Sequence, residues 1–195
     1  QFADIVGKHE SLKHIIVSGK DAKGNLLLAD LMAKASTKFE PAPTTADDMC
    51  FWLYSSGSTG APKGTVHLHS HLIQTAELYA RPILGIQESD LVFSAAKLFF
   101  AYGLGNGMTF PMSVGATAVL MAERPTPQAV FKRWTGSHGD QGTAPRPTMF
   151  FGAPTGYAGM LASPQLPQRH EVSLRLCSSA GEALPREIGE RFTAR

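Results

Sequence analysis

Short apolar runs alternate with helix-length segments along almost the whole chain. His14 to Val17, Met49 to Leu53, Leu91 to Ala95, Thr117 to Met121, Thr148 to Phe151 and Leu174 to Cys177 are short, apolar on both faces and bounded by turn residues. That pattern predicts buried strands. The intervening segments Leu27 to Ala35, His71 to Ala80, Gln128 to Trp134, Gly156 to Ala162 and Leu184 to Phe192 have the length and spacing of helices. Pro82 closes the second of these, because a ring without an N–H cannot continue the ladder. Strand and helix in alternation predict an α/β fold: a layered, largely parallel sheet with flanking helices. Two stretches break the rhythm. Phe39 to Thr45, with Pro41 and Pro43, reads as a connector into the next strand, and Thr135 to Pro147, rich in Gly and Pro, reads as an exposed, mobile loop.

A chain of 195 residues can bury roughly 70% of the surface its unfolded form exposes. With 43% hydrophobic and 17% charged residues the composition is that of an ordinary globular protein. A net charge of +2 from scattered lysines and arginines disfavours nucleic acid or an anionic membrane surface as partner. No apolar run is long enough to span a bilayer, and no charged-then-apolar leader follows Gln1. Cys50 and Cys177 both sit in apolar runs, which predicts two buried thiols in a reducing, cytoplasmic compartment. His67, His69 and His71 alternate as metal ligands on a strand would. They lack an acidic or Cys partner nearby, and a strand-to-helix switch is expected to split them, so packing and helix-start roles are assigned and no metal site. The start at Gln1 and the stop at Arg195 inside an amphipathic segment suggest a piece of a longer chain.

The segment Tyr54 to Gly64, YSSGSTGAPKG, places three glycines, four serine or threonine hydroxyls and one lysine between two apolar runs. Glycines let backbone N–H groups approach an anion, hydroxyls add donors, and a lysine supplies the charge a polyphosphate needs. The Walker spacing G-x-x-x-x-G-K-S/T fails when counted from Gly57, because Pro62 replaces the second glycine and Gly64 the hydroxyl residue. A G-x-S-x-G nucleophile elbow is absent as well, which disfavours a serine hydrolase.

YSSGSTGAPKG closely resembles the phosphate-binding signature of the adenylate-forming superfamily, the acyl- and aryl-CoA synthetases and their relatives. The resemblance implies that the chain is part of the large N-terminal domain of such an enzyme, with ATP- and acid-binding segments over residues 1–195 and the small C-terminal domain absent. In that family a carboxylate attacks the α-phosphate of ATP to give an acyl-adenylate and pyrophosphate, and a thiol then displaces AMP. The resemblance implies ATP contacts from Ser55, Ser56, Gly57, Ser58, Thr59, Gly60 and Lys63, with Lys63 and Thr59 as the candidates for catalysis.

A second match, Ser178-Ser179-Ala180-Gly181-Glu182-Ala183-Leu184-Pro185, is similar to the family's adenine-binding segment. It follows a strand and precedes a helix, where open α/β sheets bind ligands. Gly181 and Glu182 would flank the adenine of ATP, and Ala180 would wall the acid pocket. The third match, Lys97 to Asn106, KLFFAYGLGN, departs from the fatty-acid enzymes and resembles the benzoate-CoA ligase branch. Phe100, Ala101 and Tyr102 would form a flat slot for an aromatic acid. Gly103, Gly105 and Gly107 are counted in favour of a site, on the ground that a close-packed core has little use for alternate glycines.

The implied reaction uses ATP, Mg²⁺ and coenzyme A, with the Mg²⁺-binding Glu expected outside this chain and the piece expected to be inactive alone. A non-catalytic nucleotide-binding module, or an adenylating enzyme that loads a carrier protein, stays open as an alternative. Oligomeric state is not readable from the sequence.

Overall fold

In the computed structural model, which describes residues 8–55, 60–138 and 144–195, the chain divides into two units, Gln1–Thr44 and Thr45–Arg195. The boundary falls in the expected connector. In the first unit β1 (Ile16–Val17) pairs in parallel with β2 (Leu26–Leu27), which runs directly into α1 (Leu28–Lys34). The strand expected from His14 shrinks to its last two residues.

The second unit is built on a four-stranded, all-parallel sheet in the order β6-β5-β7-β8, from β5 (Leu91–Ser94), β6 (Thr117–Val119), β7 (Met149–Gly152) and β8 (Leu176–Ser179). All four residues of β7 are buried, as a central strand covered on both faces requires. Neighbouring residues point to opposite faces. Val92, Met149 and Phe151 meet Ala76, Ala80 and Phe110 on one side. Phe93 and Phe150 meet Phe131, Trp134 and Tyr157 on the other. The Trp134 ring stands edge-on to Phe150 at 4.9 Å and Phe93 lies 5.3 Å from it. Each such buried aromatic contributes about 2–3 kcal/mol through area removed from water.

The connections decide where a ligand can sit. From β5 the chain leaves through a helical stretch, α3 (Ala101–Leu104), a π-turn (Gly105–Thr109) and α4 (Phe110–Val114), and reaches β6. Phe110 of this stretch packs on the first face. From β7 it leaves through α6 (Pro154–Ala162), whose Tyr157 and Met160 pack on the second face, and reaches β8 on the opposite side. The second face also carries α5 (Pro127–Trp134) between β6 and β7 and, at the end, α7 (Arg186–Thr193). Adjacent strands β5 and β7 therefore send their connections in opposite directions, which opens a crevice between their carboxyl ends.

At the other end of the sheet Asp90, 4% exposed, ties together the starts of three strands. It accepts hydrogen bonds from Thr148 Oγ1 (2.7 Å), Arg175 Nε (2.8 Å) and the Gln87 N–H (2.8 Å).

Four sequence expectations change. Met49 to Leu53 is not a buried parallel strand: β3 (Met49–Ser55) forms an antiparallel hairpin with β4 (Lys63–Leu68), and Trp52 and Tyr54 are exposed. Cys50, on that hairpin, is half-buried, and Cys177, on the sheet's edge strand β8, is exposed, so neither is a fully buried thiol.

The glycines of 103–107 lie in a helical stretch, and packing is what requires them. A Cβ at Gly103 would drive into the Lys97 carbonyl oxygen, at Gly105 it would come within 2.9 Å of the Phe110 ring, and at Gly107 within 3.0 Å of Leu98 Cδ2. The expected loop at 135–147 is pinned where it is described: the Ala144 N–H donates to Gly136 O (2.8 Å) and Pro147 is fully buried. Residues 139–143 lie outside the described residues.

Candidate adenylation site

The hairpin β3–β4 carries the two ends of the glycine-rich segment. Ser55, the last residue of β3, is the cross-strand partner of Lys63, the first of β4, and both are exposed. Gly60 has φ +79°, a conformation that only glycine adopts without strain, and the space where a Cβ would stand is open. No carboxylate pairs with Lys63 among the described residues. Ser56, Gly57, Ser58 and Thr59 lie outside the described residues.

After β4 the chain turns into α2 (His69–Thr75), continued by a π-turn (Ala76–Ala80), so His67 lies on the strand and His69 and His71 on the helix, yet the rings of His67 and His71 still meet edge to face at 5.6 Å. His67 stacks on Phe51 at 5.0 Å, and His71 Nδ1 accepts the Leu68 N–H at 3.3 Å. The three are packing and helix-start residues. Among the described residues no group of three or more His, Cys, Asp or Glu is placed to hold a metal ion.

The aryl segment and the adenine segment meet at the crevice beside β5 and β7. Tyr102, half-buried on α3, stands edge-on to Phe151 at 6.2 Å and donates from its hydroxyl to Ser178 Oγ at 3.3 Å. Burial pushes the Tyr102 hydroxyl up to about 12, so it stays protonated and a donor across the working pH range. From the other face of the sheet the Tyr157 hydroxyl donates to the Ser178 carbonyl at 2.9 Å. Burial raises its pKa too. Two tyrosines from two layers thus clamp one serine at the carboxyl end of β8.

Directly beyond it Ala180 is half-buried and Gly181 turns at φ +99° with open space on its Cβ side. A flat base can lie against such a backbone. Glu182 is exposed. Phe100 and Ala101 are exposed at the start of α3, with Phe100 57% exposed and its ring 4.5 Å from that of Phe99.

Two cavities accompany these segments. One of about 350 Å³ at the carboxyl ends of β5 and β6 is lined by Ser94, Lys97, Leu98, Gly107, Leu120 and Met121. The other, about 280 Å³, lies between α7 and the approach to β8, lined by Trp134, Leu166, Cys177 and Phe192 among others. Neither is lined by Phe100, Ala101, Tyr102, Ala180, Gly181 or Glu182. The first of them takes Lys97 and Leu98 from the segment Lys97 to Asn106.

Sequence reasoning missed Tyr157 and Lys97. Their partners Ser178 and Met121 lie 21 and 24 residues away, and no local pattern marks either pair.

The AMP-binding enzyme family model matches residues 2–195. The chain is 62% identical over 194 residues to the benzoate–CoA ligase of Thauera aromatica, covering 100% of this chain and 35% of that protein. It is 49% identical over 183 residues to the 4-hydroxybenzoate–CoA/benzoate–CoA ligase of Rhodopseudomonas palustris, covering 91% of this chain and 32% of that one. Its fold matches the crystal structure of a benzoate CoA ligase from Burkholderia xenovorans with a TM-score of 0.80 at 59% identity, over 93% of this chain and 34% of the other. It also matches an anthranilate CoA ligase in complex with anthranoyl-AMP with a TM-score of 0.86 at 36% identity, over 99% and 36%. The chain thus spans about a third of the length of the curated relatives it matches. No helix among the described residues is long and apolar enough to cross a membrane. With the α/β fold and a match over nearly its whole length, the chain belongs to the AMP-binding enzyme family.

Proposed function

We propose that the intact protein activates an aromatic carboxylic acid of the benzoate type with ATP and passes the acyl group to coenzyme A. The hydrogen bond between Tyr102 and Ser178 carries this reading, since it joins the aryl segment to the adenine segment at the switch point of the sheet. The names and identities of the aryl-CoA ligases it resembles support the same acid class. In the first step a carboxylate oxygen of the acid attacks the α-phosphorus of ATP, the P–O bond to the β-phosphate breaks, and pyrophosphate leaves. In the second the thiol of coenzyme A attacks the acyl carbon, AMP leaves with the bonding pair, and the thiol proton goes to solvent.

In this reading Ser55, Ser56, Gly57, Ser58, Thr59, Gly60 and Lys63 take the β- and γ-phosphates, and Ala180, Gly181 and Glu182 frame the adenine and the acid. Phe100, Ala101 and Tyr102 take the ring. Chemistry of this type leaves the protein mainly positioning and charge neutralisation. Mg²⁺ would arrive with ATP, and no carboxylate cluster among the described residues is placed to hold it. ATP–pyrophosphate exchange by the intact protein, screened with aryl, fatty and amino acids, tests the reading. Exchange driven by benzoate-type acids, with thioester formed on free coenzyme A, is expected. Preference for a fatty or amino acid, or transfer only to a carrier protein, overturns it.

A further inference from the structure

We propose that Lys97 is a positioning residue for the acid slot. Its ammonium caps the carboxyl end of β6 and thereby sets where α3, with Ala101 and Tyr102, begins. Lys97 Nζ donates to three successive carbonyls, those of Met121, Ala122 (3.1 Å) and Glu123 (2.7 Å). These use all three donors an ammonium has, on a half-buried side chain. Among the described residues no carboxylate forms an ion pair with it, and the Glu123 carboxylate pairs with Arg133 Nη1 at 2.7 Å. A lysine in this state is bound as a structural cation would be. It gathers two strand-end loops that share no sequence proximity.

The backbone of the same residue faces the other way. Its carbonyl accepts the Phe100 N–H at 3.0 Å and closes the turn that launches α3. Gly103 leaves no room for a Cβ against that carbonyl, so α3 is seated on the Lys97 peptide itself. One residue is therefore fixed through its side chain to β6 and through its main chain to α3. The first two helical residues after the turn, Ala101 and Tyr102, are two of the three assigned to the ring. A shift at Nζ is transmitted over four residues to Ala101, and a displacement of an ångström at a reacting group is enough to change rates substantially.

The identity of the slot rests on the ligase reading above; the tie itself does not. Two readouts in the intact protein separate them. Hydrogen–deuterium exchange of the 98–104 amides should accelerate in Lys97→Met and partly recover in Lys97→Arg, whose planar fork keeps the charge but cannot converge three donors on one point. Unchanged exchange overturns the tie, whatever the protein catalyses. In steady-state kinetics Lys97→Met should raise KM for the aromatic acid about tenfold or more, with KM for ATP within about twofold of wild type. Lys97→Gln, whose amide keeps two N–H donors without the charge, serves where the methionine variant does not fold and should show the same split. A parallel rise in both KM values, or none, reduces Lys97 to a fold residue and overturns the proposal. Wild-type protein that adenylates no aromatic acid overturns the ligase reading, and the exchange result then stands alone.

Discussion

Lys63 opens β4 directly opposite Ser55, at the mouth of the glycine-rich turn, and no described carboxylate neutralises it. It is the only cation in the segment Tyr54 to Gly64. If it neutralises the phosphates as the displaced pyrophosphate gains charge, Lys63→Ala should slow ATP–pyrophosphate exchange on the order of 10²-fold, the cost of one electrostatic transition-state contact. An unchanged rate would remove it from the mechanism. Asp90 works at the opposite end of the sheet. Hydrogen bonds from Arg175, and after burial's opposing effect those from Thr148 and the Gln87 N–H, hold its carboxyl down to about 2 from an ordinary 3.8. A depressed acid pKa contributes stability that is fully present above 3.8 and is lost as pH falls through about 2. The shift corresponds to about 2 kcal/mol at most, since one partner, Arg175, is 41% exposed and screened by water. Asp90→Asn should therefore lower the denaturation midpoint at pH 6, and the gap to wild type should close between pH 4 and pH 2. A gap independent of pH would assign the loss to packing instead of charge.

At the scale of elements, the helical stretch from Ala101 to Val114 explains both what the sequence conceals and what the site requires. Gly103, Gly105 and Gly107 each cost about 1 kcal/mol of helix propensity, and Pro111 lacks the N–H a regular helix needs at that point. Local preference therefore argues against a helix, and packing against Lys97, Leu98 and Phe110 overrides it, with a π-turn at Gly105–Thr109 absorbing the mismatch. The four parallel strands were legible because apolar runs such as Met149–Gly152 are buried on both faces. The hairpin was not, since periodicity marks Met49–Ser55 as extended without naming its partner. The Asp90–Arg175 pair, 85 residues apart, leaves no local trace at all. The segments proposed for binding stand out in the sequence because their residues are contiguous. Ala101 is exposed at the head of α3, so Ala101→Phe should fold and fill the slot. The ratio of kcat/KM for benzoate to that for a short aliphatic acid should fall. Equal loss for both acids would mean that the residue does not face the ring.

For the whole molecule the decisive question is charge. ATP brings four negative charges, and the described residues offer Lys63, which no described carboxylate pairs, but no carboxylate cluster to hold a shared Mg²⁺. The relatives extend well beyond the third of their length that this chain spans. In the proposed reaction the thioester step further needs the adenylate enclosed, and closure of that kind assembles groups that an open half-site does not contain. Residues 1–195 expressed alone should therefore form no aryl-CoA from ATP, Mg²⁺, benzoate and coenzyme A, while weak nucleotide binding to the hairpin and the Gly181 turn persists. Mass spectrometry of the reaction mixture reads the product directly, and a circular dichroism spectrum with α/β character shows that the chain tested is folded. Catalytic amounts of benzoyl-CoA from a folded sample would mean that residues already within this chain supply the metal and the closure. The division of labour proposed between this chain and the rest of the intact protein would then be wrong.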